Sequence, residues 1–172
     1  MIEFKKLLAG GDLRSIGKSN SVILKIHDQN DFDELFQCLF HPDRIVVMRA
    51  ADAIEKITII KPQYLNNHKK EVIEICKTTG NKELKWHLAL LIPRLNLSKP
   101  EVSKGWNILS GWVRDKTNSR IVRVNSIQAL FELAKLNMEL DKKLKILFTE
   151  LKKENIPSIT ARIKKIEKNS NN

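Results

Sequence analysis

The chain has 172 residues, of which 42% are hydrophobic and 30% charged, with 6 glycines and 5 prolines. These proportions exclude collagen-like, low-complexity and wholly disordered proteins, and the length suits one domain with its own core. Two cysteines are too few for a disulfide framework, and the longest apolar run, residues 88–93, is far shorter than the ~20 residues of a membrane helix. The first residues lack the apolar stretch of a secretion signal, so we expect a cytoplasmic protein that does not bind membranes.

Positive charge is the strongest compositional deviation, because 31 Lys and Arg residues face 20 Asp and Glu residues, a net charge of +11. The excess lies in the C-terminal two thirds: residues 1–57 carry a net charge of −1 and residues 58–172 a net charge of +12. Such a surface attracts nucleic acid, anionic lipid or acidic protein. Lysine outnumbers arginine by 23 to 8, however, as AT-rich coding DNA would also produce, and dedicated phosphate sites favour arginine.

Apolar residues recur at helical spacing nearly everywhere, whereas strand-like alternation is missing, so the sequence predicts an all-α protein. Residues 1–29 form an N-terminal segment with a short capping helix predicted over residues 21–27. A helical stripe then follows, made of Phe32, Leu35, Phe36 and Leu39. The next helix starts after Asp43 and ends before Pro62, whose ring breaks the hydrogen-bond ladder.

Three more antiparallel helix pairs are predicted, which makes about four in a repeat domain spanning residues 30–168. Their helices lie around residues 72–76 and 83–92, from residue 98 to a turn at 117–119 and onward, and over residues 139–154 and 157–168. Ser98 and Glu101 have the spacing of a capping box at the start of the third pair. Residues 169–172 have nothing apolar to bury and are expected to fray.

The second helices of these pairs align without gaps, which indicates an internal repeat. The aligned core positions are Val46, Ala50 and Ala53; Lys82, Trp86 and Ala89; Val122, Ser126 and Ala129; Ile159, Ile163 and Ile166. Successive units are thereby offset by 36, 40 and 37 residues, a period typical of helical solenoids. The small residues allow neighbouring helices to approach closely, and such units bury their apolar faces by stacking.

The segments 43–54 and 120–130 resemble the second helix of HEAT (ARM-like) repeats, in which Val-Arg is followed by small residues. The resemblance covers residues 30–168 and extends to small bacterial HEAT-repeat domain proteins. It implies a right-handed α-α superhelix, a HEAT-like solenoid. The arginine position of the repeat falls on Val47, Glu83, Arg123 and Thr160 in the four units, so the Asp-Arg ladder between repeats is expected to be mostly absent.

The segment 12–19 is similar to a phosphate-binding loop but departs from it, because the first glycine position holds Asp12 and no strand precedes it. A weaker anion site stays possible where the predicted short helix starts, since helix N-termini offer free amides to anions. Its residues are Arg14, Gly17, Lys18 and Ser19. The alternative, in which Ser19 or Asn20 simply caps the helix, is favoured.

Catalytic and metal chemistry find little support in the residue pattern. The four histidines have neither i, i+4 spacing nor cysteine neighbours, so we predict no metal, no cofactor and no catalytic residue. Cys38 and Cys76 are expected to pack in the core. The HEAT-like DNA glycosylases use tryptophans and a carboxylate one helical turn away, a step absent here; Trp86 and Trp106 fall on core-like stripes.

In HEAT-repeat proteins the second helices line the concave surface, and the resemblance makes their flanking residues the candidates for ligand contact. Arg49, Lys85 and Arg162 share one frame position, about 90° from the apolar stripe by helical geometry, and Arg123 extends the row. We therefore expect a non-catalytic scaffold that binds a protein partner, an acidic one, through this row. The alternative is a nucleic-acid-binding protein whose phosphates the same row contacts. The lysines between Lys142 and Lys153 are interpreted as the solvated face of a terminal repeat.

Overall fold

The computed structural model describes residues 3–10 and 17–170, and within these residues the chain forms ten α-helices and no strand. The all-α prediction is therefore confirmed, whereas the handedness of the superhelix stays a prediction. The helices are α1 (Phe4–Leu8), α2 (Gly17–Ile23), α3 (Gln29–Gln37), α4 (Arg44–Ile60), α5 (Lys69–Thr78), α6 (Lys82–Leu91), α7 (Lys99–Arg114), α8 (Arg120–Ala134), α9 (Met138–Lys152) and α10 (Pro157–Ser170).

Capping side chains define several helix starts, and two of them, at Asp43 and Ser98, are those that the sequence predicts. The Asp43 carboxylate accepts a hydrogen bond from the Ile45 amide at 2.8 Å, and the Asn81 side chain accepts from two amides at the start of α6. At α7 the Glu101 carboxylate accepts from the Ser98 amide at 2.7 Å, which confirms the capping box. These caps supply partners to amides that helix geometry leaves free.

The N-terminal capping helix differs from the prediction. Helix α2 begins at Gly17 and ends at Ile23, four residues before the expected boundaries at both ends. After Ile23 the chain makes tighter turns, because the Lys25 amide bonds the Val22 carbonyl and the Ile26 amide bonds the Ile23 carbonyl. Helix α10 continues to Ser170, and the rest of the expected frayed tail lies outside the described residues.

The chain divides into two compact units: unit 1 comprises residues 1–71 and 94–96, and unit 2 comprises residues 72–93 and 97–172. In unit 1, Phe4, Phe32 and Phe36 are buried. The His68 ring stacks on Phe36 with ring centroids 3.9 Å apart. Its Nδ1 and Nε2 atoms lie 2.8 Å and 2.6 Å from the carboxylates of Glu71 and Asp33, respectively. This histidine therefore belongs to the packing of unit 1.

Helix α8 is the centre of unit 2, where it packs against α6, α7, α9 and α10. Buried side chains such as Leu109, Leu130 and Leu144 fill the space between these helices. A Cβ atom on Gly105 would lie 3.0 Å from the Ile92 side chain, so glycine permits a close approach there. The helices of unit 2 consequently depend on small residues at particular contacts.

Burial corrects the repeat frame of the second pair. Val46, Val122 and Ile159 are 0% exposed, and the residue of α6 buried in the same way is Leu84, not Lys82. The next two core positions of this frame fall on Leu88 and Leu91, each 1% exposed. Successive units are therefore offset by 38, 38 and 37 residues, and Trp86, expected in the core, is only half-buried. The alignment was wrong by two residues because it matched small residues, whereas α6 fills these positions with leucine.

The first prediction concerns the contact side of α8. Ala129 is 0% exposed, so an Ala129→Leu substitution should overpack unit 2 and lower the free energy of unfolding by ~1–3 kcal/mol. Ala161→Leu makes the same chemical change on an exposed position of α10 and should alter it by less than ~0.5 kcal/mol. Urea unfolding followed by circular dichroism measures both. Equal stability of the two variants would contradict the packing described for α8.

Candidate functional site

Arg49, the first residue of the expected binding row, is 0% exposed. Its guanidinium donates hydrogen bonds to the carbonyl oxygens of Leu8 and Gly10, each at 2.6 Å. Gly10 has a positive φ of 70°, a backbone conformation that glycine adopts readily. Arg49 therefore links α4 to Leu8 and Gly10, at the end of α1 and just beyond it. The prediction that Arg49 lies at the edge of an exposed face is wrong.

Arg123 is also buried, with 3% of its surface exposed. Its Nε donates to the Val113 carbonyl at 2.6 Å, and its terminal Nη2 donates to both carboxylate oxygens of Glu154 at 2.8 and 2.9 Å. The arginine of α8 thus joins the end of α7 to the turn before α10. Its expected place in an exposed row is wrong, because these partners enclose its charge.

Lys85 and Arg162 are half-buried and contact side chains of unit 2. The Lys85 ammonium lies 3.3 Å from the Asn118 side-chain oxygen and 5.4 Å from the centre of the Trp112 ring. Arg162 donates to the Gln128 side-chain oxygen at 2.8 Å. In the corrected frame Lys85 aligns with Arg123, so the four predicted residues do not occupy one row. Their role in binding stays a prediction for Lys85 and Arg162 alone.

The contacts of Lys85 and Arg123 have one pattern. Each is a cation in the first turn of a second helix, and each reaches the turn before the following second helix. The N-terminal ends of α6, α8 and α10 therefore lie at the same edge of unit 2. Beside Lys85 at this edge lies Asp115, whose pKa is held below its usual range by hydrogen bonds from Thr117 and by the nearby ammonium groups of Lys85 and Lys82.

The weaker anion site lies only partly within the described residues. Arg14 is not among them, and Gly17 and Lys18 open α2, a helix of seven residues. Ser19 is buried, and its hydroxyl has no hydrogen-bond partner within the described part of the chain. The site stays a prediction.

The cysteines are buried in the two units, as the sequence predicts for core residues. Burial raises the pKa of the Cys76 thiol, and burial likewise raises the pKa of the Cys38 thiol. A thiol with a raised pKa is a poor nucleophile. Among residues 3–10 and 17–170, no group of three or more His, Cys, Asp or Glu side chains is placed to hold a metal ion.

Unit 2 carries unpaired positive charge, but not on the four residues predicted from the sequence. Unit 2 contains 19 basic and 10 acidic residues, a net charge of +9. Nine of the ten carboxylates contact a cation or a hydrogen-bond donor, for example Glu150 with Arg114 and Glu167 with Lys152, and Glu83 is not without a partner either. Ten exposed cations have no ion-pair or hydrogen-bond partner among the described residues: Lys82, Lys99, Lys104, Lys116, Arg120, Lys142, Lys153, Lys164, Lys165 and Lys168.

A strip of partly exposed apolar side chains lies on α6 and α8, on the sides opposite their buried residues. We call this strip the open face; it consists of Trp86, Leu90, Ile121 and Val124, of which Ile121 is 44% exposed. The two helices pack together, and the Asn125 amide donates to the Trp86 carbonyl at 3.1 Å. Apolar residues gathered on a surface in this way are typical of protein-binding sites.

We call three of the unpaired cations the rim, because helical spacing places them beside the open face. Lys82 lies one turn before Trp86 on α6, and Arg120 lies one turn before Val124 on α8. Lys165 on α10 lies one turn after Arg162, whose guanidinium contacts Gln128 of α8. The rim and the open face together offer apolar contact flanked by positive charge, all within unit 2. Helical spacing alone did not reveal this site, because the frame of α6 was displaced by two residues.

Comparison with known families agrees with this architecture. The family model described as HEAT repeat domain matches residues 10–170, and the chain belongs to this family. HEAT repeats generally serve as protein-interaction scaffolds, and the family is typically non-catalytic. The comparisons with curated proteins and with solved structures find no match. None of the helices in the described residues is both long and apolar enough to span a membrane.

The second prediction tests whether Arg49 and Arg123 are structural. Replacing either by Gln should lower the free energy of unfolding by ~2–4 kcal/mol, because buried carbonyls, and for Arg123 also a carboxylate, lose their partner. Lys85→Gln should change it by less than ~1 kcal/mol, since half-buried lysine contacts contribute little. Chemical denaturation measures all three. Wild-type stability of both arginine variants would restore these residues as candidates for ligand contact.

Proposed function

We propose that the protein is a non-catalytic scaffold that binds an acidic segment of a partner protein through unit 2. The contact surface is the open face with its rim, not the row of four residues expected from the sequence. The observation that carries the proposal is the supply of exposed cations without acidic partners around an apolar strip. Complementary charge steers such a partner and aligns it, while apolar contacts supply the affinity.

Family membership supports the scaffold part of the proposal, since HEAT repeats generally mediate protein interactions. The two cysteines support a non-catalytic role only in part, because burial suppresses the thiolate that a cysteine nucleophile would need. An acidic protein is favoured over nucleic acid because the rim surrounds apolar side chains. Phosphate contacts need cations alone, whereas protein interfaces also bury aliphatic and aromatic anchors.

The third prediction removes the rim. The triple variant Lys82→Gln, Arg120→Gln and Lys165→Gln should bind a fluorescent polyglutamate peptide at least about tenfold more weakly than the wild type, with a flatter dependence on salt. Fewer charge pairs would form, so fewer counterions would be displaced on binding. Fluorescence anisotropy at several salt concentrations measures both effects. Thermal stability should barely change, because exposed unpaired charges contribute little to folding.

The matched control removes the same net charge from the first helices of unit 2. Lys99→Gln, Lys104→Gln and Lys142→Gln alter three exposed, unpaired lysines on α7 and α9. This variant should weaken binding by less than about threefold, since its charges act only at long range. Equal weakening by both triple variants would reject the open face as the contact surface. Tight binding of single- or double-stranded nucleic acid, lost with the rim, together with no peptide binding would favour the alternative function.

A further inference from the structure

The open face lies on two helices that pack against each other, α6 and α8. Trp86 and Leu90 lie one turn apart on α6, and Ile121 and Val124 lie one turn apart on α8. Packed helices lie roughly 8–10 Å apart, so their side chains leave a groove that another helix can enter with its own ridge of side chains. The Asn125–Trp86 hydrogen bond joins α6 and α8 across this groove.

Two polar side chains along the groove already have hydrogen-bond partners. The Asn125 amide donates to the Trp86 carbonyl, and the Gln128 side chain accepts from Arg162 while donating to Glu132. The backbone groups of α6 and α8 are bonded within their own helices. An extended peptide pressed into this groove would therefore bury amides and carbonyls that find few partners, at a free-energy penalty. A helix satisfies its own backbone and avoids that penalty.

The positive charge of the rim determines which partner helices could bind in this groove. Lys82, Arg120 and Lys165 flank the groove without an ion pair of their own among the described residues, although the exposed Asp115 carboxylate lies near Lys82. Carboxylates on either side of an apolar stripe would face these cations when the stripe fills the groove. A basic or neutral amphipathic helix would meet repulsion or no attraction there.

We propose that the open face binds an acidic amphipathic helix of the partner protein, which rests on the proposed function of unit 2. Apolar side chains spaced i, i+3 or i+4, and i+7 contact Trp86, Leu90, Ile121 and Val124. Carboxylates on both sides of that stripe pair with the rim. The partner is thus defined by three properties together: helical structure, an apolar stripe and acidic flanks.

The fourth prediction compares three fluorescent peptides on the full chain by anisotropy. The first is a glutamate-rich helix with leucines at i, i+3 and i+7, the second has the same composition with two central residues exchanged for proline, and the third is polyglutamate. The helical peptide should bind at least about tenfold more tightly than the proline peptide, because proline breaks the helix. Ile121→Ser should weaken the helical peptide by about tenfold and polyglutamate by less than about twofold.

Ile146→Ser is the matched control, because Ile146 is an exposed isoleucine of unit 2 that lies on α9, away from the groove. It should leave the binding of all three peptides within about twofold of the wild type. Equal affinity for the helical and proline peptides, or an Ile121→Ser variant with unchanged affinity, overturns the helical partner. The proposed function survives that result if the rim variant still weakens polyglutamate. Failure of all three peptides to bind overturns both proposals.

Discussion

Arg123 is the residue on which the arrangement of unit 2 depends most directly. One guanidinium binds the Val113 carbonyl at the end of α7 and the Glu154 carboxylate before α10, while its own helix, α8, lies between them. A planar group with several donors can hold two acceptors in fixed directions, which the single ammonium of lysine does less well. Because both the cation and its partners are shielded from water, replacing it removes more than one contact. The buried contacts of Arg123 therefore hold together the edge of unit 2 at which the second helices start.

Lys85 occupies the equivalent position one unit earlier, but its environment differs. It contacts a neutral Asn118 side chain and the face of Trp112, and it keeps part of its surface in water. The same position of the repeat thus holds a buried ion pair at Arg123 and a half-buried cation at Lys85. The residue type alone does not determine whether such a cation is available to solvent and to a partner. Its burial does.

Much of the fold could be predicted from the sequence because its signals are local. Asp43, Ser98 and Pro62 mark helix boundaries through hydrogen-bond geometry that needs no distant residue. The site was harder to predict, because exposure depends on which neighbour covers each face. Arg49 looks like a surface residue by periodicity, yet the N-terminal segment covers it and uses its charge.

The displaced frame of α6 shows how a pattern can mislead. Ala89 is small and buried, so it matched the alanines of the other units, and Trp86 then fell on a core position. The true core stripe of Leu84, Leu88 and Leu91 uses larger residues at the same places. Because the packing volume around a helix is shared among neighbours, size alone does not identify equivalent positions. Only the burial pattern of the folded chain separates the open face of α6 from its core face.

Arginine and lysine have different roles in this protein. Dedicated anion sites usually contain arginine, but here most of the arginines make contacts within the protein. The guanidinium groups of five arginines reach other helices or turns: Arg49, Arg94, Arg114, Arg123 and Arg162. Among the described residues of unit 2, the exposed cations without partners are lysines, with the exception of Arg120. The ammonium of lysine is strongly hydrated and is stable in water without a partner. The guanidinium of arginine is more weakly hydrated, and its several donors can bind buried carbonyls. Two of the three rim cations are therefore lysines, whereas Arg114, Arg123 and Arg162 link the helices and turns of unit 2.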